Sequence, residues 1–272
     1  MRYGRLVRLT CPGEAETAFS RLAEGGFDCC HLVYKPEHYS DEAAAEIKKA
    51  ANDSGIEIAA IFAGFRDNFT KWNIYSDYLD AGINSPKYGA ARVEYLKEAA
   101  VFARNVGTEN MVIHAGFVPS DPFSEKYAET VKIVKDLAEY CRGLGINVLF
   151  ESGGETPVTL LRLINDVGTG NVFSNLDTAN LIMYGCGNPC DALYTIGEFV
   201  KSIHIKDGLP PTSPRELGKE TNFGEGAVDF EKFFSLCRKF CPDVPFIIER
   251  EIADGKADEM IEKTLSEIKR LF

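Results

Sequence analysis

With 272 residues, the chain is longer than an ordinary single domain but close to the roughly 250 residues of an α/β barrel. Its hydrophobic content of 45% and charged content of 26% are those of a soluble globular protein, and its net charge of −11 argues against a nucleic-acid partner, which usually meets a basic surface. No apolar run is long enough for a membrane span or a signal-peptide core, so we expect a cytoplasmic protein without membrane association.

Short β-branched runs alternate with longer amphipathic segments along the chain, which predicts strands and helices in turn. The predicted strands are 4–9, 28–34, 56–62, 110–114, 147–151, 172–177, 202–206 and 246–249. The predicted helices lie near 13–24, 41–54, 87–106, 124–143, 156–167, 189–199, 229–240 and 255–271. Ser124 and Thr156 stand where helix caps are expected.

Eight strands that are each followed by a helix require parallel pairing through right-handed crossovers. We therefore predict a (β/α)8 TIM barrel that forms a single domain over residues 1–272. The alternative is an open, doubly wound sheet, which usually has a glycine-rich first turn. The first turn here, TCPGE at 10–14, lacks that pattern.

Two connections that follow strands are unusually long. Segment 63–86 is rich in aromatic residues and includes Trp72, and segment 207–228 is rich in Gly and Pro. Loops that follow strands lie on the C-terminal face of a barrel, where barrel enzymes hold their active sites. Each segment is a candidate lid, and peripheral aromatic packing is the alternative for the first.

Polar side chains stand at the ends of successive predicted strands. Glu151, Asp177, His204 and Glu249 end the fifth to eighth strands. Because side chains alternate along a strand, the isoleucines between His204 and its neighbours face the helices, and His204 then points into the barrel mouth. We expect the three carboxylates and the imidazole to converge there.

Crowded carboxylates are costly unless a positive charge lies among them, so this convergence predicts a bound divalent cation. Any one of the four could be structural, but four in register on neighbouring strands are hard to attribute to packing. Three oxygen ligands and one nitrogen suit Mn²⁺, Mg²⁺, Co²⁺ or Zn²⁺ and do not choose among them.

The motifs FESGG, LDTANL, IHIKDG and FGEGAVDF resemble those of the xylose isomerase-like TIM barrel superfamily, in particular its sugar phosphate isomerase/epimerase branch. The likeness spans essentially the whole chain. It implies that Glu151, Asp177, His204 and Glu249 bind one divalent metal ion. It also implies that Glu151 and Glu249 are the catalytic residues that move the proton.

Five further positions are candidate substrate contacts: His114, Asn180, Lys206, Glu225 and Trp72. His114 resembles a substrate or extra ligand histidine of the superfamily, and Asn180 stands where several of its epimerases and AP endonucleases carry histidine. Lys206 either neutralises an oxyanion or phosphate or pairs with Asp207 or another carboxylate. Glu225 lies in a GEG turn that it either orders or uses to reach substrate.

One of the two histidines near the second strand, His31 or His38, is expected to line the pocket.

We therefore expect an isomerase or epimerase of carbohydrate metabolism that removes a proton next to the carbonyl of a small sugar-like substrate and passes through an enediolate. Three other functions compete with it. An inosose dehydratase-type lyase would use the same ligands, an AP endonuclease would need more than the four histidines present, and a sugar-binding barrel would not catalyse. The sequence leaves open whether the substrate is phosphorylated and whether the protein is a homo-oligomer.

Overall fold

The computed structural model describes residues 1–36, 40–64 and 81–271. Within them, eight parallel strands close into a barrel in the order β1-β10-β7-β6-β5-β4-β3-β2. These strands are β1 (Arg2–Val7), β2 (Cys29–Val33), β3 (Glu57–Phe62), β4 (Asn110–Ile113), β5 (Asn147–Glu151), β6 (Val172–Asp177), β7 (Val200–Ile205) and β10 (Pro245–Ile248). The predicted (β/α)8 TIM barrel is confirmed.

Helices connect the strands and cover the outside of the barrel. They are α1 (Ala15–Glu24), α2 (Asp41–Ser54), α3 (Gly89–Val106), α4 (Glu125–Gly143), α5 (Pro157–Val167), α6 (Asn180–Met183), α7 (Pro189–Ile196), α8 (Phe230–Phe240) and α9 (Ala257–Leu271). The Ser124 hydroxyl accepts the Tyr127 N–H, and that of Thr156 accepts the Thr159 N–H, so both predicted caps are confirmed. No helix among the described residues is both long and apolar enough to cross a membrane.

The side chains inside the barrel are mostly small and form two apolar clusters separate from the main core. Leu6, Cys29, Ala59 and Ile247 form the first cluster, and Ala60, Val112 and Leu149 form the second. The large core lies between the strands and the helices, where Ile203 and Ile205 pack as the alternation in β7 predicts. His204 and Lys206 therefore point into the barrel, as expected.

The segment after β7, predicted as a long connection and candidate lid, has secondary structure of its own. It contains an antiparallel hairpin of β8 (Asp207–Leu209) and β9 (Lys219–Thr221). The Asp207 carboxylate accepts the backbone N–H groups of Gly224, Gly226 and Val228 and so fixes the GEG turn against the hairpin. A Cβ on Gly226 would lie 2.2 Å from the Asp207 Oδ1, so this close approach requires glycine.

The first strand also differs at its ends from the predicted 4–9. It begins at Arg2, which pairs in register with Pro245 of β10, and it ends at Val7. The Tyr3 N–H donates to the Asp28 carboxylate at 2.9 Å, which adds a local reason for the early start.

Candidate metal centre

The four predicted ligand residues come from neighbouring strands and meet at the C-terminal end of the barrel. Asp177 of β6 is in register with His204 of β7, and the Glu249 N–H continues the ladder by donating to the Ile205 carbonyl. Glu151 is the last residue of β5, which pairs with β6. All four side chains are buried. Parallel pairing aligns the strand ends, so residues distant in sequence converge.

The ligand atoms form one compact cluster. His204 Nδ1 lies 3.2 Å from Glu249 Oε2, 3.5 Å from Glu151 Oε1 and 4.0 Å from Asp177 Oδ2. One ligand atom from each residue lies within 4.8 Å of those of the other three. This spacing allows the four residues to coordinate one ion.

The hydrogen bonding of the cluster fits a bound cation. Among the described residues, Glu151 Oε2, Asp177 Oδ2, His204 Nδ1 and Glu249 Oε2 are buried and make no hydrogen bond of suitable geometry, although Lys206 forms ion pairs with two of these oxygens. The other oxygen of Asp177 accepts the backbone N–H groups of Ala179 and Asn180, which orients the carboxylate. Buried polar atoms are rarely left unpaired, and a divalent cation would satisfy all four.

Lys206 lies inside this cluster. Its Nζ is 2.8 Å from Glu249 Oε2, 3.3 Å from Asp177 Oδ2 and 2.9 Å from Glu251 Oε2. Lys206 pairs with carboxylates, as one of the two sequence-based alternatives expects, and these partners do not include Asp207. Its contact with an oxyanion or phosphate stays a prediction. One ammonium does not balance the three ligand carboxylates, which leaves the cluster negative and attractive to a cation.

Burial and mutual charge set the protonation of the cluster. Burial raises the pKa of Asp177 to about 7, although Lys206 opposes the shift. Burial disfavours imidazolium, but Glu249 and Glu151 outweigh it and raise the pKa of His204 to about 10. Burial raises the pKa of Glu249, yet Lys206 and His204 together hold it well below its usual range.

Two of the predicted substrate contacts adjoin Glu151. His114 Nε2 lies 3.6 Å from Glu151 Oε2, and Asn180 Nδ2 donates to Glu151 Oε1 at 3.2 Å. Both line a small cavity of about 20 Å³, together with Glu155 and Tyr184. This volume is enough for a water molecule.

Of the remaining two predicted contacts, Glu225 is not brought to the cluster. Glu225 is exposed, and its carboxylate accepts a hydrogen bond from Asn222 Nδ2 at 3.0 Å. Trp72 lies outside the described residues, as does His38. Substrate contact by Glu225 and Trp72 stays a prediction.

Three further residues lie at the site. His31 was one of the two histidines expected to line the pocket, and Phe62 and Glu155 were not singled out from the sequence. His31 is buried with its Nδ1 3.0 Å from His204 Nε2, and burial followed by the His204 charge holds its pKa well below the usual range. The ring of Phe62, which ends β3, lies 5.8 Å from that of His204. Burial raises the pKa of Glu155 to about 8. Strand alternation does not single out Phe62, because Ile58 and Ile61 both lie in the large core although their parity is opposite, and the register of β3 shifts between them.

A family model described as the xylose isomerase-like TIM barrel matches residues 19–271. A solved xylose isomerase domain protein from Planctomyces limnophilus has a TM-score of 0.88 and 28% identity, over 99% of this chain and 96% of that chain. D-psicose 3-epimerase in the presence of D-fructose has a TM-score of 0.72 and 19% identity, over 100% of this chain and 99% of that chain. The 3-keto-D-glucoside 4-epimerase from E. coli has a TM-score of 0.74 and 16% identity, over 99% of each chain. No curated protein matches the sequence.

Proposed function

Because the chain belongs to the xylose isomerase-like TIM barrel family, we propose that it is a divalent-metal-dependent isomerase or epimerase of a sugar or sugar derivative. The observation that carries this proposal is the burial of Glu151, Asp177, His204 and Glu249, each of which offers one ligand atom within 4.8 Å of those of the other three. Such a set suits Mn²⁺, Mg²⁺, Co²⁺ or Zn²⁺.

The reaction is proton transfer next to a carbonyl. A divalent cation held by the four residues would supply the positive charge that stabilises the developing enediolate. Glu151 and Glu249 approach the cluster from β5 and β10, with β6 and β7 between them. This separation supports our assignment of the two glutamates to different sides of a substrate at the mouth, as an epimerase with two acid/base groups requires.

The electrostatics suit both glutamates as bases. Burial raises the pKa of Glu151, but the charges of His114 and His204 outweigh burial, so the pKa is lowered. Burial likewise raises the pKa of Glu249, and the charge of Lys206 outweighs it and lowers that pKa. One carboxylate removes the α-proton. The other glutamate, once it has taken a proton from water, delivers that proton from the opposite face and inverts the carbon. Return of the abstracted proton to the neighbouring carbon by the first glutamate, with transfer of the hydroxyl proton to the former carbonyl oxygen, isomerises the sugar.

The substrate contacts follow from the same geometry. We assign hydroxyl recognition to His114 and Asn180, because both line the cavity beside Glu151. We assign stabilisation of an oxyanion to Lys206, because its pKa is held well above its usual range by Asp177, Glu249 and Glu251 against the effect of burial. The lysine therefore stays positively charged at neutral pH.

The test is incubation with ketoses, aldoses and inososes in deuterated water, with Mn²⁺ or with a chelator. We expect deuterium at a carbon next to the carbonyl of one substrate, only when metal is present. Loss of water from an inosose would instead indicate the lyase, and metal-independent sugar binding without exchange would indicate a non-catalytic barrel. Glu151→Gln should abolish the exchange, whereas Glu129→Gln on the exposed face of α4 should preserve it.

A further inference from the structure

Beneath the metal centre, a chain of buried polar side chains crosses the barrel. His204 Nε2, on the side of the ring away from the carboxylates, lies 3.0 Å from His31 Nδ1, and His31 Nε2 lies 3.0 Å from Ser202 Oγ. Ser202 and His204 are on β7, whereas His31 is on β2, and β1 and β10 lie between these strands. All three side chains are buried, so solvent does not compete for these contacts.

The positions of the protons determine which atom donates in each of these hydrogen bonds. His204 offers Nδ1 to the carboxylate cluster, so a neutral His204 that binds a cation there carries its proton on Nε2. Only one proton lies between Nε2 and His31 Nδ1, so His31 must accept at Nδ1. Its own proton is then on Nε2 and is donated to the Ser202 hydroxyl.

The opposite arrangement would be incompatible with metal binding. If His31 carried its proton on Nδ1 and donated it to His204 Nε2, the proton of neutral His204 would move to Nδ1. That proton would occupy the lone pair that the cation needs. The tautomer of His31 therefore determines which nitrogen of His204 is available.

We propose that His31, oriented by Ser202, is a positioning residue that holds His204 in the tautomer and ring orientation required for metal binding. This inference rests on the proposed function, because it assumes that the cluster binds a cation. Hydrogen-bond partners of ligand histidines are typically worth about 10- to 100-fold in metal affinity.

The first test measures the Mn²⁺ dissociation constant by competition with a fluorescent chelator. We expect His31→Leu, which removes the acceptor, to weaken binding by about 10- to 100-fold. His31→Asn keeps an oxygen near the former position of Nδ1 and should restore most of the affinity. The Mn²⁺ affinity of Ser202→Ala should lie between those of His31→Leu and His31→Asn. Ser174→Ala is the matched control, because Ser174 is buried in β6 and bonds the Phe150 carbonyl instead.

The second test reads the tautomers directly from the imidazole ¹⁵N shifts of the folded protein, before and after Zn²⁺ is added. We expect the His31 proton on Nε2 in both states and the His204 Nε2 to be protonated. A proton on His31 Nδ1, or wild-type affinity in His31→Leu, would overturn the positioning role alone. Failure of the wild-type protein to bind any divalent metal would overturn that role together with the proposed function.

Discussion

Metal binding should release protons, because the ligand atoms must be deprotonated to coordinate a cation. In the metal-free protein, the pKa of His204 is about 10 and that of Asp177 is about 7. The pKa values of Glu151 and Glu249 lie below their usual range, so these two carry no proton near neutrality. At pH 7, His204 then contributes about one proton and Asp177 about half of one, a total of about 1.5 per cation.

The same values fix the sign and size of the pH dependence. Since only the deprotonated cluster binds, affinity rises with pH. At pH 6 both groups are almost fully protonated, so about 1.9 protons are released. Integration over pH 6 to 7 gives a rise of about 50-fold in affinity, about tenfold from His204 and about fivefold from Asp177.

Isothermal titration of metal-free protein with Mn²⁺ in two non-coordinating buffers of different protonation enthalpy counts these protons. The difference between the two apparent enthalpies should correspond to about 1.5 protons at pH 7. Glu225→Gln, which changes an exposed carboxylate, should give the same count. Enthalpies that do not depend on buffer, together with an affinity that does not change between pH 6 and 7, would refute the reasoning.

Three further predictions concern single substitutions. Glu249→Gln should lower turnover and α-proton exchange by about 10²–10⁴-fold, whereas steady-state rates should stay near wild type in Glu129→Gln, because that side chain is 63% exposed on α4. The folded pKa of Glu155 is about 8, so its stabilisation is present below its unfolded value and is lost as pH rises through 8. The unfolding free energy of Glu155→Gln should therefore decline less with pH than that of wild type, by about 5 kcal/mol at most. Urea titrations at pH 5 to 9 measure this decline. The control Glu225→Gln should show the same decline as wild type, and a wild-type decline in Glu155→Gln would contradict the prediction. Asp207→Ala should lower the unfolding free energy by about 3 kcal/mol or more, because the backbone N–H donors of the GEG turn then lose their acceptor. An unchanged urea midpoint would contradict this.

Much of the metal centre could be predicted because β7 has a clear alternation. Ile203 and Ile205 mark its helix-facing side, which leaves His204 and Lys206 on the other. Parallel pairing then aligns the other strand ends with His204. The partners of Lys206 could not be predicted, because Glu251 lies beyond the end of β10 and reaches the lysine through a loop.

His31 illustrates why the rest of the site was harder to predict. The run CCHLV of β2 has apolar residues on both faces, because the barrel interior beside it is filled by small side chains such as Cys29 and Ala59. Polarity therefore does not distinguish the two faces, and the register between β2 and β3 also shifts at His31. The β8–β9 hairpin was missed because its strands are only three residues long and lie among glycines and prolines.

The four proposed ligand residues all come from the second half of the barrel, on β5, β6, β7 and just after β10, yet the His204 imidazole contacts His31 in the first half. A hybrid protein with the first four strands of a relative and the residues of this protein from β5 onward would therefore keep all four proposed metal ligands. It would replace Phe62 and His114, which lie beside them. Such a hybrid should retain the ion only when the donor half places a hydrogen-bond acceptor at the position of His31. Recombination between relatives is thus constrained at one position inside the barrel as well as at its rim.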